Sequence, residues 1–222
     1  MPQPPVQPTP RPETPAEAWQ LLAEGNRRFV TSTSSHPNQD AFHRSRLASA
    51  QNPYAVIFGC SDSRLAAEII FDVGLGDVFV VRTAGQVIDD AVLGSLEYSV
   101  SVLKTPLIVI LGHDSCGAVT AAVEAFHSGQ MPRGFVRDLV ERITPSVIAA
   151  RRQNVKDVNG TVTEHVKQTA SRLADSSKII SDALDAGALA IAGVTYSLAD
   201  GAVSLVSGLG SLTSEEQDSE HD

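Results

Sequence analysis

The chain has only two cysteines, Cys60 and Cys116, with one tryptophan and two methionines, and aromatic residues make up 5% of it. Two thiols are too few to staple a small disulfide scaffold, and 222 residues can bury a core without one. In a reducing compartment such a pair more often serves a metal or catalysis than a disulfide. Long apolar runs are missing too, so no transmembrane helix is expected. Positive charge is scarce: 17 Lys and Arg stand against 26 Asp and Glu, for a net charge of −9. That balance argues against nucleic acid or an anionic membrane as partner, while one arginine in a pocket can still hold a small anion. The opening Met1-Pro2-Gln3-Pro4-Pro5 lacks the basic-then-apolar pattern of a signal peptide, and a cytoplasmic location is expected.

What is present is ordinary for a globular domain, with 42% hydrophobic and 19% charged residues. Residues 1–13 are rich in proline and predict a disordered tail, and residues 213–222 an acidic frayed one. Residues 14–212 read as a single domain. Thr14-Pro15-Ala16-Glu17 has the pattern of a capping box, and the helix it opens should run to about Val30, with Trp19, Leu22 and Phe29 to one side. Residues 31–40 are polar and read as a loop. Apolar runs at 54–59, 77–82, 107–112 and 188–196 predict buried parallel strands, and 202–207 an edge strand. Helices are predicted over 66–71, 90–103, 117–127, 138–152 and 163–186, with Pro145 breaking or kinking the fourth. The alternation implies an α/β fold with a mostly parallel central β-sheet flanked by helices.

Two segments concentrate chemistry: Cys60-Ser61-Asp62-Ser63-Arg64 and Gly112-His113-Asp114-Ser115-Cys116-Gly117. Each follows a predicted buried strand, and open α/β sheets bind ligands beyond the carboxyl ends of their strands. Two neighbouring strand ends could bring Cys60, His113 and Cys116 together. Two thiolates and an imidazole suit zinc, and three protein ligands leave a fourth position open, the pattern of a catalytic rather than a structural site. Out of context, the cysteines read as core thiols, His113 as a core histidine and Asp62–Arg64 as a helix-start ion pair. His36, His43, His127, His165 and His221 have no such context and are expected at the surface. The second segment is not a serine nucleophile elbow, because its first spacing is one residue too long. Gly74-Leu75-Gly76 precedes a strand and lacks the third glycine of a dinucleotide site.

The two segments resemble the signature motifs of the β-class carbonic anhydrases, in particular the plant-like branch found in bacteria. The similarity extends over residues 51–123 and more loosely to 197. It implies the β-carbonic anhydrase fold with an extended N-terminal helix, a single catalytic domain and one Zn2+ per subunit held by Cys60, His113 and Cys116. Asp62 and Arg64 would be the catalytic dyad, with Asp62 as a fourth ligand in a closed state. Gln51, Phe79, Ala84, Tyr98 and Gly117 would bind substrate. The implied reaction is reversible hydration of carbon dioxide to bicarbonate and a proton by attack of zinc-bound hydroxide, and two thiolate ligands should make activity rise toward alkaline pH. The resemblance also implies a homodimer or a dimer of dimers, with the N-terminal helix across the neighbouring subunit and Gln51 serving the partner's zinc. Thr83-Ala84-Gly85-Gln86 stands where this branch often has Asn-Val-Ala-Asn. The alternatives are a non-catalytic, zinc-stabilised regulatory protein on the same fold and a hydrolase of a sulfur analogue such as carbon disulfide.

Overall fold

The computed structural model describes residues 11–213. Five strands form one sheet: β1 (Ala55–Cys60), β2 (Val78–Thr83), β3 (Leu107–His113), β4 (Ala190–Tyr196) and β5 (Val203–Leu209), in the order β2-β1-β3-β4-β5. The first four are mutually parallel and β5 runs antiparallel to β4. All of β1 and β3 is buried, so they read as unbroken apolar runs instead of alternating patterns. In their register Gly59 is level with Leu111, and the next steps bring Cys60 and His113 to neighbouring carboxyl ends.

The helices are α1 (Pro15–Val30), α2 (Ala41–Arg46), α3 (Ala67–Ile70), α4 (Asp90–Ser101), α5 (Gly117–Ser128), α6 (Val136–Arg152), α7 (Val158–Ser176) and α8 (Lys178–Asp185). The capping box forms as expected: Thr14 Oγ1 accepts from the Glu17 amide at 3.2 Å, and Glu17 accepts from the Thr14 amide at 3.1 Å. α1 buries Ala18 and Leu22 within its own chain. Asn26 anchors it there, donating to the Ile70 and Gly201 carbonyls and accepting from the Val203 amide.

Two expectations need correction, and one short helix lies where no element was predicted. The helix predicted over 163–186 is two helices. Asp157 accepts from the Gly160 amide at 2.7 Å and starts α7 at Val158. Ser177 then leaves the helical region (φ −119°, ψ 113°) and caps α8 through the Ile180 amide. Of the break or kink expected at Pro145, the break does not occur: α6 runs through it, and Pro145 and Glu141 are both exposed, on a side where water can reach the carbonyl that loses its partner. The short helix α2, capped by Asp40, was not expected.

Of the predicted tails, residues 1–10 and 214–222 lie outside the described residues. Arg11, inside them, donates to the Pro53 and Lys104 carbonyls at 3.0 Å each. Among the described residues no helix is long and apolar enough to cross a membrane.

Candidate metal centre

Cys60 is the last residue of β1 and His113 the last of β3. After His113 the chain turns through Ser115, at φ +51°, and enters α5 with Cys116 as its N-cap residue. The sulfurs of Cys60 and Cys116 and a ring nitrogen of His113 all lie within 4.8 Å of one another, and all three residues are buried.

The protonation pattern follows from the neighbours. His113 Nδ1 is 2.8 Å from the Asp114 carbonyl oxygen, which only accepts, so Nδ1 carries the hydrogen. Nε2 is buried and has no hydrogen-bond partner. Burial pushes the His113 pKa down, but the Cys60 thiolate and the Asp62 carboxylate outweigh it and raise it. A field that favours a proton at Nε2 also favours a metal cation there. The two thiols influence each other. A hydrogen bond from Cys116, helped by His113 and the Gly85 amide and opposed by burial, lowers the Cys60 pKa to about 4. The same bond, with burial, pushes Cys116 up, although the Ala118 and Val119 amides at the start of α5 pull the other way. A cation between the two sulfurs would favour the thiolate form of both. A buried, unpartnered lone pair costs about 1–3 kcal/mol. With two soft sulfurs beside it, this donor set fits a zinc-like ion.

Asp62 and Arg64 stand beside the cluster. Arg64 Nε and Nη2 donate to the two carboxylate oxygens at 2.9 and 2.6 Å, and the Arg64 amide adds a third bond at 3.0 Å. The Arg64 guanidinium therefore holds the Asp62 carboxyl well below the usual carboxylate range. Asp62 Oδ2 is 3.9 Å from His113 Nε2.

Ala84 and Gly117 adjoin the cluster in the chain, next to Gly85 and Cys116 respectively. The other expected substrate residues do not join it within one chain. Phe79 is level with Val56 near the start of the edge strand β2, away from the carboxyl ends, and packs against Tyr98 of α4, with ring centroids 6.2 Å apart. Gln51 is exposed and precedes β1, so the length of that strand, roughly 20 Å, separates it from Cys60.

A family model described as carbonic anhydrase matches residues 55–203, a span that contains the whole cluster and the dyad. The chain belongs to the carbonic anhydrase family. It is 55% identical over 201 residues to carbonic anhydrase 2 of Mycobacterium tuberculosis, covering 90% of this chain and 97% of that protein. It is also 55% identical over 198 residues to a carbonic anhydrase of Mycolicibacterium smegmatis, covering 89% and 96%. Among solved structures it resembles the Coccomyxa β-carbonic anhydrase in complex with acetazolamide, at 25% identity and a TM-score of 0.68 over 85% of this chain and 87% of that one. A tetrameric β-carbonic anhydrase of Sordaria macrospora shares the fold at 21% identity and a TM-score of 0.67, covering 86% and 98%. The chain is thus an enzyme of this family with the β-class fold.

Three residues that support this carbonic anhydrase site were missed in the sequence. Arg82 on β2 donates to the Cys60 carbonyl at 3.0 Å and the Asp62 carbonyl at 2.6 Å, clamping the first motif. Asn159 at the start of α7 accepts from the Ser115 amide at 2.9 Å, holding the second. His165, expected at the surface, is buried, because α7 turns that face onto the sheet. An arginine on the strand between the motifs was a signal for the first; nothing in the local sequence marks the other two.

Proposed function

We propose that Cys60, His113 and Cys116 hold one zinc ion per subunit and that the enzyme thereby hydrates carbon dioxide reversibly to bicarbonate and a proton, with Asp62 and Arg64 as its catalytic dyad. The observation that carries this reading is the convergence of two sulfurs and an unpartnered imidazole nitrogen within 4.8 Å. A zinc ion bound there supplies hydroxide near neutral pH by lowering the pKa of water.

The chain's own residues do the rest. Asp62, kept ionised by Arg64, can only accept a hydrogen bond. Its Oδ2, on the His113 side of the dyad, accepts a hydrogen bond from the attacking hydroxyl, which keeps its hydrogen and has a lone pair turned toward the carbon. Arg64 holds that carboxylate in place through a bidentate contact. The same contact favours an arrangement with Asp62 on Arg64 over one with Asp62 as a fourth metal ligand. Ala84 and Gly117 flank the position where substrate would sit.

Gln51 is too far from Cys60 along β1 to serve its own site, which supports a role in a partner's pocket, and Phe79 and Tyr98 would line that shared pocket. β2 is an edge strand whose Val78, Phe79, Val80 and Val81 are only half-buried, and an apolar edge of this kind favours pairing with a second copy. The assembly is a homodimer or a dimer of dimers, with residues 14–212 as the catalytic domain of each copy. A cytoplasmic location agrees with a site that needs reduced thiols.

The test is metal analysis together with stopped-flow hydration of carbon dioxide. The expected result is one zinc per chain and activity lost on chelation, restored by zinc, and lost again in Cys60→Ser. Absence of stoichiometric metal, or full turnover in Cys60→Ser, would overturn the reading. Bound zinc without hydration would favour a regulatory protein instead.

A further inference from the structure

His165 is a buried titratable group that the reaction does not consume. Its Nε2 is 2.8 Å from the Gly85 carbonyl oxygen, and its Nδ1 is 2.9 Å from Ser146 Oγ on α6. A carbonyl only accepts, so Nε2 carries the hydrogen and donates it, which leaves Nδ1 as an acceptor beside Ser146 Oγ, whose hydroxyl also reaches Gln168 Oε1 at 3.1 Å. Burial pushes the His165 pKa down to about 4, and the Gly85 carbonyl selects the form of the ring with its hydrogen on Nε2.

Gly85 in turn donates its amide hydrogen to Cys60 Sγ at 3.3 Å. The residue is wedged in place. Its φ is +68°, and a Cβ there would lie 2.7 Å from Ala118 Cβ and 2.9 Å from Ile143 Cδ1. The Gly85 carbonyl and N–H are joined through only two dihedrals, φ +68° and ψ 25°, so the direction of the one is tied to the direction of the other. Whatever holds the carbonyl aims the amide.

We infer that His165 is a positioning residue for the metal centre: by holding the Gly85 carbonyl it keeps the Gly85 N–H on the Cys60 sulfur and so tunes that thiolate as a metal ligand. This rests on Cys60 being a zinc ligand. Asn159 holds the other ligand loop from the same helix, so α7 braces both halves of the site. An N–H···S bond draws charge from the sulfur and fixes where its lone pairs point. Partners behind a metal ligand typically change metal affinity by roughly 10–100-fold.

Two amide substitutions isolate the contact. Glutamine carries its side-chain nitrogen near the reach of Nε2, and asparagine near that of Nδ1. In His165→Gln the donor to Gly85 survives; in His165→Asn it does not. Zinc affinity is read by chelator competition, and the cobalt-substituted protein gives the sulfur-to-metal charge-transfer band. His165→Asn should weaken zinc binding by about 10–100-fold and move that band to lower energy, because the sulfur lone pair is less stabilised. His165→Gln should keep most of the native affinity and the native band position. Equal behaviour of the two folded variants, native-like or equally weakened, would overturn the inference, since a packing role does not distinguish them. If His165→Asn does not fold, Ser146→Ala keeps the ring and frees Nδ1. It should shift affinity and band in the same direction by less, and no shift would overturn the inference. Stoichiometric zinc in the native protein tests the underlying reading separately, because only the ratio of variant to native bears on His165.

Discussion

Asp62 gives both carboxylate oxygens to Arg64 while its Oδ2 stays 3.9 Å from His113 Nε2, so the dyad stands against the ligand cluster without joining it. Arg64 is what decides which way that carboxylate faces. In Arg64→Ala the carboxylate is released toward the cluster. Zinc content should remain at the native level while carbon dioxide hydration falls by about 100-fold or more. Native turnover in this variant, measured by stopped flow, would remove Arg64 from the mechanism.

A buried carboxylate outside the ligand cluster, Asp72, should govern stability. Asp72 accepts from Arg28 Nε at 2.6 Å, from the Ser35 and His36 amides at 2.9 Å each and from Ser35 Oγ at 3.1 Å. Burial pushes its pKa up, but the Ser35 amide, Arg28 and the His36 amide together outweigh it and hold it below the ordinary value. Asp72→Ala strands these donors and should cost about 3 kcal/mol, lowering Tm by roughly 6–12 °C. A depressed carboxylate contributes stability above its unfolded pKa and loses that contribution as pH falls through its folded pKa. The native-minus-variant difference should therefore stay level from about pH 8 to 5 and shrink below about pH 4. Calorimetry across that range checks both statements.

Gly85→Ala and Gly117→Ala make a matched pair. The first puts a Cβ against Ala118 and Ile143 at φ +68°, whereas nothing lies within 4 Å of a Cβ at Gly117. Urea unfolding should report a loss of about 2–4 kcal/mol for Gly85→Ala, from left-handed strain and overpacking. Gly117→Ala should be neutral or stabilise by up to about 1 kcal/mol.

The proposed role of Gln51 in a partner's pocket is open to a complementation test. Gln51→Ala and Cys60→Ser should each be impaired alone. In a mixed dimer, the Gln51→Ala subunit keeps its metal ligands and receives Gln51 from its partner. Random pairing of equal amounts should recover about a quarter of native activity. No recovery, at demonstrated subunit exchange, would mean that Gln51 does not act across subunits.

Much of the central sheet was readable because it is buried on both faces. β1 and β3 are unbroken apolar runs, and their ends match expectation to within a residue. The capping box at Thr14 was readable because its hydrogen bonds join residues three apart. The start of α7 was not, because Val158-Asn159-Gly160-Thr161 is poor in helix formers and is carried by the Asp157 cap and by packing of Thr161 and Val162. That α6 continues through Pro145 was not legible, because the exposed position that lets water take the freed carbonyl is not a local property of the sequence.

The sequence by itself determined the candidate ligands, the pairing of Asp62 with Arg64 and the strands that carry them, since each lies within a short segment whose chemistry and hydrophobic pattern are local. Only the tertiary structure decided that β1 lies beside β3 and that Nε2 of His113 points at two sulfurs. It also decided that His165, 105 positions beyond Cys60, reaches back through Gly85 to that sulfur. Such contacts depend on strand order and on the face each helix turns inward, and those follow from packing the whole chain into one core.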